Sequence, residues 1–216
     1  MTAECGRVDA VVRGARSSRK RGAGVLDLGA RVEFEVQKGR GELPDLGHFA
    51  LVQVPKHTRD DVDRLALCAY GCELCAAFAT ENQESPRLFG LLEAWLARLE
   101  GDAPLPAALR VALEVKALHF AGLTPALGRC PVCADASSEP AVFSMAGGGL
   151  LHARCGGGRR TPVGWAVAVE RLRTRPMSEA EGVSIDTADR WLLMEFAEYH
   201  LGRPLKSRAR LEHLAP

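Results

Sequence analysis

Hydrophobic and polar positions along this chain change their period once, near Pro55. Before it, Val8, Ala10 and Val12 alternate with Arg7, Asp9, Val11 and Arg13, and Val32, Phe34 and Val36 alternate with Glu33, Glu35 and Gln37. A period of two places one set of side chains on one face of a strand, so both stretches predict β structure. Phe49 to Val54 is a third, more uniformly apolar strand candidate. Between the first two lies Gly14 to Gly24, with three glycines and two serines, which reads as a flexible connection. A small antiparallel sheet is expected over residues 1 to 57.

After Pro55 the period becomes about 3.6. Asp60 and Asp61 suit a first helical turn, and Leu65, Cys68, Cys72, Cys75 and Ala79 follow at spacings of three and four. Leu88, Leu91, Leu92, Trp95, Leu96 and Leu99 form a cleaner stripe closed by Gly101. Leu109 to Phe120 is apolar on more than one side and predicts a central helix, ended by Gly122 and Pro125. Residues 126 to 160 interrupt the pattern with cysteines and two glycine triplets; helices resume over Pro162 to Leu172 and Ala188 to Leu201. The expected fold class is therefore α+β: a small N-terminal antiparallel sheet, then a mainly helical domain over 58 to 216 with an insertion at about 126 to 160.

Composition changes this picture little. With 216 residues, 47% hydrophobic and 25% charged, the chain can bury a real core and is neither collagen-like nor globally disordered. No run approaches the roughly 18 unbroken apolar residues of a membrane span, and residues 1 to 9 lack the basic-then-apolar order of a signal peptide, so a cytoplasmic location is expected. There the seven cysteines read as thiols or metal ligands rather than a disulfide framework.

The sharpest chemical signal is Cys130-Pro-Val-Cys133 followed by His152-Ala-Arg-Cys155. A CxxC pair turns two thiolates toward one metal and the HxxC pair adds two more ligands, a tetrahedral Cys3His set that suits structural zinc. Four protein ligands leave no open position for a catalytic water. The competing reading makes these ordinary buried thiols beside a surface histidine. A deaminase would need HxE beside the ligands, and His152 is followed by Ala153 and Arg154. A thioredoxin-like site would need a helix after Cys133, where Ala134 to Ser138 reads as loop. Cys68, Cys72 and Cys75 share one helix face and read as packed core thiols.

The second signal is charge. The formal net charge of +1 hides an asymmetry: residues 1 to 40 hold nine bases and five acids, a net +4 that leaves −3 for the remainder. Arg13, Arg16, Arg19, Lys20 and Arg21 lie in one acid-free stretch that could follow a phosphate backbone without reading bases. Charge alone does not separate that role from a solvated loop. Lys206, Arg208 and Arg210 form a second group, and Arg159 and Arg160 follow the knuckle. No Walker A loop and no GxSxG, HExxH or GxGxxG set is present in a fitting context, so no enzyme is expected.

Four segments in order resemble the RecO family of bacterial recombinational repair proteins: Gly6 to Arg16 with its Ser/Arg/Lys tail, Pro86 to Phe89, Leu118 to Leu123 running into Cys130 and Cys133, and His200 to Arg208. The resemblance implies an N-terminal OB-fold and a helical domain carrying zinc knuckles. It further implies a non-enzymatic mediator of the RecF-type pathway that binds single- and double-stranded DNA and anneals strands. Such a mediator works with RecR and the single-strand binding protein and indirectly helps RecA loading. On this resemblance Arg13, Arg16, Arg19, Lys20 and Arg21 become DNA-contact candidates, and Lys206 and Arg208 of the C-terminal basic group are expected as further DNA-binding residues. Cys130, Cys133 and Cys155 match family cysteines, and His152 stands where a fourth cysteine is common. Family members begin with a strand pair before the position of Thr2 to Arg7, so this chain is expected to lack the opening of its OB-fold: either the natural start lies upstream, the favoured reading, or the sheet is partial and its DNA affinity reduced. The alternative function is a zinc-stabilised protein-interaction module without intrinsic DNA binding.

Overall fold

Alternation does produce strands before Pro55, though fewer than the pattern suggests. In this computed structural model, which describes residues 1–12, 26–39, 41–186 and 189–212, β1 (Arg31–Gln37) pairs antiparallel with β2 (Asp45–Gln53). Phe34 lies opposite Phe49 and Val32 opposite Leu51. Val32 and Phe34 are half-buried, but Val36, beyond a register shift at Phe34/Val36, is exposed. An irregular ladder re-aims the side chains that follow it, which is why the alternation fails there. The candidate strand at residues 8 to 12 contributes only one bridge, Val11 to Asp45, and that bridge is parallel. Its Val11 N–H donates to the Pro44 carbonyl at 2.8 Å.

The chain clusters into two compact units, Met1–Asp102 with Ala209–Glu212, and Ala103–Arg208. In the first, a single turn α1 (His57–Asp60) leads into α2 (Val62–Phe78), whose N-cap Asp61 accepts from the N–H groups of Asp63 and Arg64. α3 (Pro86–Glu100) buries Leu88, Leu91, Leu92, Trp95 and Leu99, almost the whole predicted stripe. On α2 the buried face is Ala66, Cys68, Tyr70, Gly71, Leu74 and Cys75; Leu65, placed on it by spacing, is exposed.

The end of α3 ties this unit together. The Glu100 carboxylate accepts from the backbone N–H groups of Lys56, His57 and Thr58 at 2.7, 3.1 and 2.9 Å and from the Thr58 hydroxyl at 2.5 Å. Arg64 of α2 meanwhile donates to the carbonyls of Leu99 and Gly101. Burial alone would raise the Glu100 pKa, but these four donors outweigh it and hold the carboxyl below its ordinary value. A group whose folded pKa is depressed adds stability above its unfolded pKa and loses it as pH falls through the folded one. Glu100→Gln is therefore expected to cost about 1–2 kcal/mol at pH 7, the size of a lost helix cap. Urea midpoints of parent and variant should converge as the pH drops below the ordinary carboxylate range; a pH-independent gap would contradict this.

The second unit is built on α4 (Ala107–Phe120), buried along Ala108 to Val115 and at Ala117 and Leu118. Around it pack α5 (Val163–Thr174), a 3₁₀ segment (Met177–Gly182) and α6 (Leu192–Leu201). Residues read as an irregular insertion form a three-stranded antiparallel sheet of β3 (Ala141–Ser144), β4 (Gly149–His152) and β5 (Arg159–Arg160), in order β4-β3-β5. Phe143 on β3 meets Trp165 of α5 and Phe196 of α6 edge-on, with centroids 5.7 and 5.4 Å apart. A last turn, α7 (Arg208–Leu211), ends the described chain. Among the described residues no helix is long and apolar enough to cross a membrane.

Candidate metal centre

Two tight turns deliver the four predicted ligands. In the first, the Ala134 N–H donates to the Cys130 carbonyl and the Cys130 N–H to the Asp135 carbonyl, both at 2.9 Å, folding Cys130 to Cys133 into a knuckle. Ala134 leaves that turn at φ +63°, a left-handed conformation that glycine adopts more cheaply. Serine 137 anchors the base, its N–H donating to the Gly128 carbonyl and its hydroxyl to the Leu127 carbonyl. The second turn starts at His152, the last residue of β4, where the Cys155 N–H donates to the His152 carbonyl at 2.8 Å. The β3–β4 pairing carries this turn to the first one.

The result is a cluster in which one ligand atom each of Cys130, Cys133, His152 and Cys155 lies within 4.8 Å of all the others. His152 Nδ1 is 3.3 Å from the Cys133 Sγ and 3.9 Å from the Cys155 Sγ. A tetrahedral zinc site with ordinary Zn–S and Zn–N bonds has ligand–ligand edges of about 3.5 Å, so the spacing fits. The imidazole is also oriented for the task. Its Nε2 lies 3.0 Å from the Ala136 carbonyl, which can only accept, so Nε2 carries the proton and the Nδ1 lone pair faces the thiols.

Charge favours the same state at Cys130, whereas burial and the neighbouring Cys133 and Cys130 raise the pKa of Cys155. Burial opposes ionisation of Cys130, but the N–H groups of Cys133, His152 and Val132 and the Cys133 thiol outweigh it and pull Cys130 down to about 6. Arg154, between the second pair of ligands, hydrogen-bonds Cys155 and Cys133, and their negative charge raises its already high pKa. With a dication bound, three thiolates and one neutral imidazole would sum to −1 beside this guanidinium, which also lies 3.6 Å from Asp135. Neither the Ala136 carbonyl nor Arg154 was singled out from the sequence. The first is a backbone group with no residue signature; Arg154 was visible inside the HxxC pair, but only the fold turns it onto the sulfurs.

The other predicted site residues lie elsewhere. Arg13, Arg16, Arg19, Lys20 and Arg21 fall outside the described residues. Lys206 is exposed, whereas Arg208 is half-buried and donates to Glu198 at 2.6 Å, with Glu195 at 3.8 Å. Arg159 lies 3.8 Å from Asp189 and 3.5 Å from Glu195, while Arg160 is exposed. Cys68 and Cys75 are buried as core thiols should be, but Cys72 is partly exposed and Cys5 is exposed.

Comparison with known proteins extends beyond the cluster. The family model described as the C-terminal part of recombination protein O matches residues 59–209. The DNA repair protein RecO of Anaeromyxobacter sp. (strain K) is 36% identical over 100% of this chain and 89% of its own length. The RecO proteins of Myxococcus xanthus and Pelobacter propionicus are 34% and 32% identical, over 96% and 95% of this chain and 86% and 85% of theirs. A match of this extent, with the metal-ligand cluster inside the matched segment, shows that the chain belongs to the RecO family.

Proposed function

We propose that this chain is a recombinational DNA-repair mediator of the RecF-type pathway. It binds single- and double-stranded DNA through backbone contacts, anneals complementary strands and helps RecA load onto DNA coated by the single-strand binding protein, with RecR as a further partner. It works at the nucleoid and catalyses no reaction. The observation that carries this reading is full-length similarity to proteins named DNA repair protein RecO.

Residues 1 to 57 serve as a partial OB-type DNA platform in this proposal, and 58 to 216 as a helical body with the knuckle at 126 to 160. Cys130, Cys133, His152 and Cys155 hold zinc, which supplies a structural cross-link between the two turns. Phosphate contacts come from Arg13, Arg16, Arg19, Lys20 and Arg21, with Lys206 and Arg208 as further contributors; exposure of Lys206 supports its part. Arg208 would contribute while held by Glu198.

Backbone binding predicts a steep dependence on salt. Changing Arg16, Arg19, Lys20 and Arg21 together to alanine is expected to flatten the log–log salt slope for single-stranded DNA by up to about 3, or about 0.7 per lost contact. Fluorescence anisotropy on oligonucleotides of different sequence measures it. Equal affinity and slope for parent and variant would remove the loop from the DNA surface.

A further inference from the structure

Among the described residues, the large apolar side chains that stand open to solvent include a single aromatic one, Tyr199, 52% exposed near the end of α6. Phe196 and Ala197 fill the core from this helix, and the Tyr199 ring is left outside it. It is nevertheless held. The His200 ring lies edge-to-face with it at a centroid distance of 5.6 Å, His200 meets Phe196 in the same way at 4.4 Å, and Phe196 meets Phe143 at 5.4 Å. Four rings thus run in contact from the core to the surface, and the outermost is only half covered. A ring restrained in this way loses little freedom when a second ring lies on it.

The charge around it has one sign. Residues 199 to 208 contain three bases, Arg203, Lys206 and Arg208, and no acid. Glu198, the residue before the ring, accepts from the Leu205 N–H at 2.8 Å and from the Arg208 guanidinium at 2.6 Å, which folds this basic segment back onto the end of α6. Lys206, between the two residues so bonded, is exposed, and so is Arg203. The carboxylates of α6 are already engaged: Glu198 by Arg208, and Glu195 by Arg159 at 3.5 Å and Arg208 at 3.8 Å. A protein-docking patch fits this surface less well. Lysine is depleted at such interfaces, and no other large apolar side chain among the described residues 189–212 is exposed.

We infer that Tyr199 stacks an unpaired base of single-stranded DNA, with Lys206 on an adjoining phosphate, so that the helical unit carries a single-strand-selective contact of its own. This rests on the DNA-binding reading above and adds to it a base contact that phosphate charges alone cannot supply. Every base has a π-face, so the contact tolerates any sequence. In a duplex those faces are closed by neighbouring pairs, whereas unpaired bases can be splayed out onto an aromatic side chain. The ring therefore distinguishes strands where the cations do not.

The full chain would be photo-crosslinked to a thymidine homopolymer carrying one 5-bromouracil, digested with trypsin and read by mass spectrometry. The expected adduct lies on Tyr199 in the peptide 191–206, where it is the one tyrosine. In anisotropy titrations Tyr199→Ala should weaken single-strand binding by about 5- to 150-fold, the worth of one stacked base, and leave duplex binding and the melting temperature unchanged. Tyr199→Phe keeps the face and should bind within about twofold of the parent. Lys206→Ala should flatten the log–log salt slope by about 0.7, while Tyr199→Ala should leave the slope as it is. Equal single-strand affinity for parent and Tyr199→Ala with crosslinks elsewhere, or equal losses on single strands and duplex, overturns the inference and leaves the wider DNA reading standing. A parent that binds no DNA removes both.

Discussion

Replacing His152 with alanine is expected to lower zinc affinity by at least about 100-fold, whereas His152→Cys should retain a working site. The ring supplies one of four ligand atoms and is fixed by the Ala136 carbonyl, and loss of an outer-shell partner alone commonly costs about 10–100-fold. Alanine removes both the ligand and its support. Cysteine restores four donors at a position that already lies within 4.8 Å of the other three. Competition against a chromophoric chelator measures the difference. The same site should make stability depend on the metal, because ligands gathered only in the folded chain convert binding energy into folding energy. Chelation should lower the melting temperature of the parent and leave His152→Ala nearly unmoved. Equal zinc affinity for parent and alanine variant would remove His152 from the site.

The second large effect concerns stability alone. Arg110 and Glu114, one turn apart on α4, form an ion pair with exposures of 7% and 0%. Arg110 also donates to the Arg190 carbonyl at 2.6 Å, and its guanidinium carbon lies 4.3 Å from the centroid of the Trp191 ring. Arg110→Ala leaves the Glu114 carboxylate buried without its guanidinium, which costs about 3–5 kcal/mol. Calorimetry should show the melting temperature falling by about 6–20 °C. Replacing both partners with apolar residues of similar size, Arg110→Met with Glu114→Leu, should recover most of the loss, because no charge is then stranded. A mild Arg110→Ala phenotype would show that water reaches the pair.

Elements whose signal is local were legible before the fold. The α3 stripe from Leu88 to Leu99 needed only a period of 3.6, and α4 announced its central place by carrying apolar residues all round. The Cys3His set was legible because its two knuckles keep their ligands close in sequence. Elements made by distant pairing were not. β3 and β4 are four residues each, and Ala141 to Ser144 has meaning only opposite Gly149 to His152. Conversely, the alternation at Val8 to Val12 overstated its case, since a period of two describes a surface but supplies no neighbour. The Arg110–Glu114 spacing is visible in the sequence and equally common on wet helix faces; the helices packed around α4 are what make it a buried pair.

Phe143 gives the metal cluster a reach beyond its own turns. Its strand runs antiparallel to the one that ends in His152, and its ring is seated against both Trp165 and Phe196. Loosening the knuckles therefore means withdrawing an aromatic wedge from between two helices. Local opening and opening of the helical core are therefore expected to be one event, with the amides of β3 and α6 exchanging with solvent together.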